Sequence, residues 1–279
     1  MYTIRPAAVA GRFYAGHSQT LAETIHTLLS NVANIQPQLE SKVTSATHSL
    51  PPKAIVVPHA GYIYSGQTAA LAYAQLTEWK NTIKRVILLG PVHRVPVRGL
   101  ALPEVDAFTT PLGEIKLDKA AIATIAGMKQ VVISYPAHAQ EHSLEVQLPF
   151  LQTILDDFKL VPLAVGDATP AEVADVLDIL WGGPETIIVV SSDLSHFLPY
   201  TAAKVVDKST VKTILNMQET LTHHQACGST PVNGLILAAK RHHLQPMLLD
   251  LCNSGDTAGD KSRVVGYASF AFMEAADDA

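Results

Sequence analysis

A chain of 279 residues with 48 % hydrophobic and 16 % charged content has enough apolar material for one large core, while its aliphatic runs are too short to span a bilayer. Twenty basic residues against 25 acidic leave a net charge of −5; neither sign forms a block, which excludes the footprint of a nucleic-acid or membrane-surface binder and points to a small molecule or peptide tail as partner. Two cysteines and an N-terminus without a basic, then apolar, signal core are expected of a cytoplasmic protein with reduced thiols.

Taken in chain order, residues 4–14 read as an irregular arm. Ser18 then caps an amphipathic helix with Leu21, Ile25, Leu28 and Leu29 on one face. Residues 34–52 are polar, contain prolines and lack a period, as a surface loop does. The runs 54–57, 86–89, 160–165 and 187–190 are almost uniformly apolar, the mark of strands covered on both sides. Residues 68–79, 141–155, 170–180 and 232–241 carry helical spacing. Residues 99–117, punctuated by Pro103, Pro111 and Gly113, predict a hairpin that interrupts the winding. Residues 247–251 and 264–272 read as two further strands around the loop 254–261. This alternation predicts an α/β fold: one domain over residues 1–279, with a central, mostly parallel mixed sheet covered by helices on both faces.

Three of the apolar strands run into residues that bind metal or move protons: the first into His59, the second into His93, and the fourth into Asp193 and His196. Parallel strands end along one edge, where ligands bind, so these side chains are expected to converge. Gly61 and Gly90-Pro91 would hold the two imidazoles in tight turns. Cys227 lies just ahead of an apolar helix, whose dipole would lower the thiol pKa and favour a thiolate ligand or nucleophile. Cys252 reads as core. His138-x-x-Glu141-His142 matches the inverted zinc-peptidase pattern, which needs one continuous helix through all three residues; Pro136 argues against that. No Gly-x-Ser-x-Gly elbow and no Gly-x-Gly-x-x-Gly occurs, and the loop 255–262 lacks phosphate-loop spacing. The pairs His223-His224 and His242-His243 read as solvated.

Pro58-His59-Ala60-Gly61-Tyr62, Leu89-Gly90-Pro91-x-His93, Glu141-His142-Ser143-Leu144-Glu145, Ser191-Ser192-Asp193-x-x-His196, Cys227-Gly228 and Val265-Gly266-Tyr267, in that order, resemble the Memo family, whose prokaryotic members are the B component of the AmmeMemoRadiSam system. The resemblance implies a fold like that of the class III extradiol dioxygenases. It also implies a mononuclear metal pocket with His59, His93 and Cys227 as ligands and Asp193 and His196 beside them. A thiolate in place of the dioxygenases' glutamate implies iron or copper, with zinc as an alternative, and tells against ring cleavage. The expected activity is metal-dependent redox chemistry on a small molecule or peptide, with His196, Asp193, His142 and Glu141 handling protons and Tyr62, Tyr64 and Arg94 touching substrate. The competing reading is a non-catalytic pocket that binds a peptide tail or small acid. Expected functional partners are a radical-SAM protein and an AMMECR-type protein.

Overall fold

A computed structural model describes residues 1–40 and 50–274. Its strands are β1 (Ile4–Arg5), β2 (Ala54–Val57), β3 (Arg85–Pro91), β4 (Leu100–Leu102), β5 (Ala107–Thr110), β6 (Gly113–Lys116), β7 (Val131–Ile133), β8 (Lys159–Val165), β9 (Thr186–Ser191), β10 (His196–Leu198), β11 (Leu244–Asn253) and β12 (Val264–Glu274). Its helices are α1 (Ser18–Glu40), α2 (Tyr62–Ala74), α3 (Lys119–Ile125), α4 (Tyr135–Ala139), α5 (Leu148–Ile154), α6 (Pro170–Leu180), α7 (Tyr200–Leu215) and α8 (Ser229–Arg241).

The main sheet runs β10-β12-β2-β9-β3-β8-β4-β7, with β11 against β12. Its centre, β2-β9-β3-β8, is parallel, while β12 and β4 join it antiparallel. Successive side chains of a strand face opposite sides, and here the two sides feed two separate cores. Ile55, Val57, Val86, Leu88, Ile187 and Val189 pack with α1, α2 and α5. Ala54, Val56, Ile87, Leu89, Ile188 and Val190 pack with α6 and α8. Burial on both faces is why the central runs are continuously apolar, and the expected single, doubly covered α/β domain is the one formed.

Several elements depart from the sequence expectation. The arm is not wholly irregular: β1 pairs parallel with β5, and the β5–β6 hairpin completes a separate small sheet. Helix α1 continues past Asn34, where a loop was expected; residues 41–49 of that loop lie outside the described residues. Helix α2 starts six residues before the apolar spacing suggests. No side chain caps it; instead the carbonyl of Phe13 accepts the N–H of Tyr62 at 2.8 Å, a long-range cap that leaves no local signal. The expected helix over 141–155 is broken: residues 141–144 are irregular, Glu145–Gln147 form a 3₁₀ turn, and only Leu148–Ile154 is α-helical. The cause is Glu141, whose side chain takes the N–H groups of His142 and Ser143 at 2.9 Å each, so the backbone folds onto a side chain rather than onto its own carbonyls. Among the described residues no helix is long and apolar enough to cross a membrane.

Candidate metal centre

Because β2, β9 and β3 are parallel neighbours, the residues that follow Val57, Ser191 and Pro91 emerge at one edge of the sheet. There the N–H of His59 donates to Asp193 Oδ1 at 2.7 Å, and the Ser192 N–H donates to the Val57 carbonyl at 2.8 Å. The two strand ends are thereby locked together before any ligand is considered.

The protonation of His59 follows from its partners. Ser191 Oγ donates its one proton to the Ser143 carbonyl at 2.6 Å, and accepts from Gln147 Nε2 at 2.9 Å. The orientation of that amide is fixed, since Nε2 also donates to the Pro58 carbonyl at 2.9 Å and Oε1 accepts from the Tyr73 hydroxyl at 2.9 Å. With its proton spent, Ser191 Oγ only accepts from His59 Nδ1 at 2.8 Å. His59 therefore carries its hydrogen on Nδ1 and turns the Nε2 lone pair toward Cys227. Burial, then the neighbouring His93 and His142, lower its pKa well below the usual value and keep the ring neutral.

His93 is set in a similar way by Glu141. That carboxylate takes the His93 N–H at 2.6 Å and His93 Nδ1 at 2.9 Å, beside its two bonds to the following backbone. Burial alone would raise Glu141, but the hydrogen bond and charge of His93 and the N–H groups of Ser143 and His93 outweigh it and bring the carboxyl down to about 2. An ionised carboxylate can only accept, so His93 Nδ1 bears the hydrogen. A carboxylate behind an imidazole is the arrangement that orients metal-ligating histidines.

His142 completes the group. One nitrogen from each of His59, His93 and His142 lies within 4.8 Å of the others. The ring centroids of His93 and His142 are 4.6 Å apart, and Phe13 from the arm packs on His142 at 4.8 Å. Burial lowers the pKa of His142 as well. The sequence expectation counts His142 among the proton carriers; the irregular turn made by Glu141 brings its ring beside those of His59 and His93.

Cys227 Sγ stands 3.3 Å from His59 Nε2 and 3.6 Å from the Asp193 carbonyl. Nitrogen and sulfur held by one ion at roughly 2.1 and 2.3 Å would be separated by about 3.1–3.6 Å for angles between about 90° and tetrahedral, so the His59–Cys227 pair alone is compatible with a common metal. Cys227 nonetheless stands outside the group of three imidazoles whose ligand atoms lie within 4.8 Å of one another. The approach depends on Gly228: a Cβ there would lie 2.6 Å from Ser192 Cβ and 2.8 Å from the Ser191 carbonyl. Gly90 acts similarly and for a reason other than a tight turn, since a Cβ at that position would meet Ser143 Oγ at 2.8 Å. The expectation of a lowered thiol pKa is corrected. Burial, reinforced by the charge of Asp193, pushes Cys227 up to about 12, so desolvation outweighs the dipole of α8 and the side chain is a thiol.

Beside His93 and Cys227 opens a cavity of about 680 Å³, whose lining does not include His59 or His142. Pro91, Val92, Pro96, Val97 and Val165 give it an apolar wall; His93, His196, His223, His224 and Cys227 give it a polar one. His196 Nδ1 donates to the Leu194 carbonyl at 2.8 Å, which leaves Nε2 as an acceptor. Asp193 sits beside it, its carboxyl raised by burial. His223 and His224, exposed as expected, nonetheless border the cavity, a role that no local pattern signalled. The expected substrate contacts separate. Tyr62 is buried, with its hydroxyl on the Val146 carbonyl at 2.8 Å and its ring against Phe150 and Tyr14, whereas Tyr64 and Arg94 are exposed.

The zinc-peptidase reading is contradicted. His138 lies in α4 with Nε2 on the Ala101 carbonyl at 2.8 Å, Glu141 is committed to His93 and the backbone, and no helix joins them to His142. Burial, above all, holds His138 down to about 4 from its usual 6.5. Between those values the unfolded chain binds a proton that the folded one refuses, so stability is lost as pH falls from 6.5 toward 4, by on the order of 3 kcal/mol. His138→Gln, which keeps a donor for Ala101, is expected to flatten this part of the profile of melting temperature against pH.

A family model described as Memo-like protein matches residues 5–271. A MEMO1 family protein of Ignicoccus hospitalis is 34 % identical over 286 residues, spanning 96 % of this chain and 98 % of that one. One from Aquifex aeolicus is 32 % identical over 290 residues, spanning 97 % and 99 %. A crystal structure of an uncharacterized protein from Escherichia coli K12 superposes with a TM-score of 0.47 at 13 % identity, over 79 % of this chain and 98 % of that one.

Proposed function

The chain belongs to the Memo-like protein family, and from that premise we propose that it is a redox enzyme holding one transition metal at His59, His93, His142 and Cys227. The observation that carries this reading is the convergence of three imidazole nitrogens within 4.8 Å, two of them belonging to rings whose protons are fixed on Nδ1 by Ser191 and Glu141. Neutral nitrogen with sulfur favours iron or copper, then zinc, over magnesium or calcium. When bound, such a metal would supply Lewis acidity and one-electron chemistry.

The residues around it have separable tasks. His59 and His93 bind; Ser191 and Glu141 hold those rings in the binding tautomer. Cys227 gives up its proton on ligation, which makes metal affinity rise with pH. His196, which lines the cavity, offers Nε2 there as a proton acceptor, with the Asp193 carboxyl beside it. The apolar wall takes the body of a small molecule or peptide end and excludes water from the reacting side. Anaerobic titration of metal-free protein with iron(II), followed by admission of oxygen, tests the reading: stoichiometric binding and oxygen uptake are expected, and binding without uptake would favour a non-catalytic pocket. Ser191→Ala, which strips His59 Nδ1 of its acceptor, is expected to weaken metal about 10–100-fold in the same titration.

A further inference from the structure

Five cations without an ion-pair partner among the described residues gather on one face of this net-acidic protein. Lys204, Lys208 and Lys212, spaced at i, i+4 and i+8, lie on the solvent side of α7, whose opposite side buries Ala203, Asp207, Thr210, Val211 and Ile214. Lys261 and Arg263, just before β12, continue the row. Lys204 and Lys261 flank the ring of Tyr200 at 5.1 and 4.8 Å, and Arg263 lies 4.9 Å from the ring of Phe197. The loop before β12 also carries two carboxylates, Asp256, which takes the Tyr200 hydroxyl, and Asp260, which takes the Ser262 N–H; the five cations outnumber them. Sequence order hides the stripe, because its members are two, four or about fifty positions apart and form no run.

Phe197 gives the stripe an apolar end. It is 60 % exposed and its backbone sits at φ 60°, a left-handed conformation that costs a non-glycine residue about 1 kcal/mol or more. The other non-glycine residues with positive φ, Met217 and His243, follow the ends of α7 and α8, where that conformation is ordinary. Phe197 is the residue at which the pairing of β10 with β12 shifts register, a bulge that accommodates such a backbone, and it adjoins His196, which lines the cavity.

We infer that α7 and the β10–β12 junction form a docking surface for an acidic peptide segment of a protein partner, with the bound segment ending at the mouth of the cavity. Charge complementarity selects an acidic partner. Extent selects a peptide over a membrane or duplex nucleic acid: the helical part of the stripe, Lys204 to Lys212 on α7, spans about 12 Å, and a larger polyanion would reach past it and its continuation at Lys261 and Arg263 onto a chain whose overall charge is −5.

The test is fluorescence anisotropy with a fluorescein-labelled decaglutamate peptide and the full chain at low salt, in chelator so that metal plays no part. Binding is expected to weaken by about tenfold or more in Lys204→Glu/Lys208→Glu/Lys212→Glu and, independently, to weaken in Arg263→Glu. It is expected to persist in Lys84→Glu/Lys116→Glu/Lys129→Glu, which changes net charge by the same amount as the stripe triple elsewhere on the surface. Unaltered circular dichroism in each variant keeps the comparison valid. No binding, equal losses in the two triple variants, or tighter stripe-dependent binding of phosphatidylserine vesicles or duplex DNA would overturn the inference.

Discussion

Arg5→Ala is expected to lower the stability of the protein by about 3–5 kcal/mol, a loss readable in chemical denaturation as a shifted midpoint. Arg5 and Glu145 form an ion pair in which both side chains are shut off from solvent. Glu145 also accepts the N–H groups of Ala8 and Val9 at 2.8 and 2.9 Å and the Tyr14 hydroxyl at 2.6 Å. Remove the guanidinium, and a buried carboxylate keeps its acceptors filled but loses its counter-charge, the condition that makes breaking a buried pair so damaging. The consequence extends to the site. Arg5 Nε and Nη2 bind the carbonyls of His138 and Glu141 at 2.9 and 2.7 Å, so the guanidinium fixes the segment that delivers Glu141 and His142. Arg5→Met/Glu145→Gln, which removes both charges, is expected to recover part of the loss; a double variant as unstable as Arg5→Ala would show that the charge imbalance is not its cause.

Glu141→Ala is expected to be similarly severe, by about 2–4 kcal/mol, and to weaken metal binding as well. The carboxylate is the sole acceptor shown for the N–H groups of His93 and Ser143 and for His93 Nδ1. Truncation leaves these donors buried or half-buried without a partner, and frees His93 to place its hydrogen on either nitrogen. Glu141→Gln separates the two effects. Its amide oxygen can still accept, so stability is expected to recover partly, while the lost charge leaves His93 a poorer ligand.

How much of this was legible beforehand follows from where each signal resides. Strand β2 and helix α6 fall on their predicted bounds, because period and the capping box at Thr169 are local. Helix α7 left no comparable trace, since its buried side includes Asp207 and Thr210, which break the apolar stripe. The strand-end rule led to His59, His93, Asp193 and His196, as parallel topology converts strand ends into neighbours. It could not reach Gln147 or Phe13, whose parts depend on a long-range amide bond and on an arm folded back over the sheet edge. His142 was found but given the wrong surroundings, because a glutamate that captures its own backbone resembles a helix start in sequence.

The central claim, that these imidazoles gather around one ion, is tested most directly by metal content after anaerobic loading with iron(II) and removal of excess. The wild-type chain is expected to retain one iron per chain, and His59→Ala and His93→Ala, still folded by circular dichroism, to retain none. Full occupancy in both variants would contradict it.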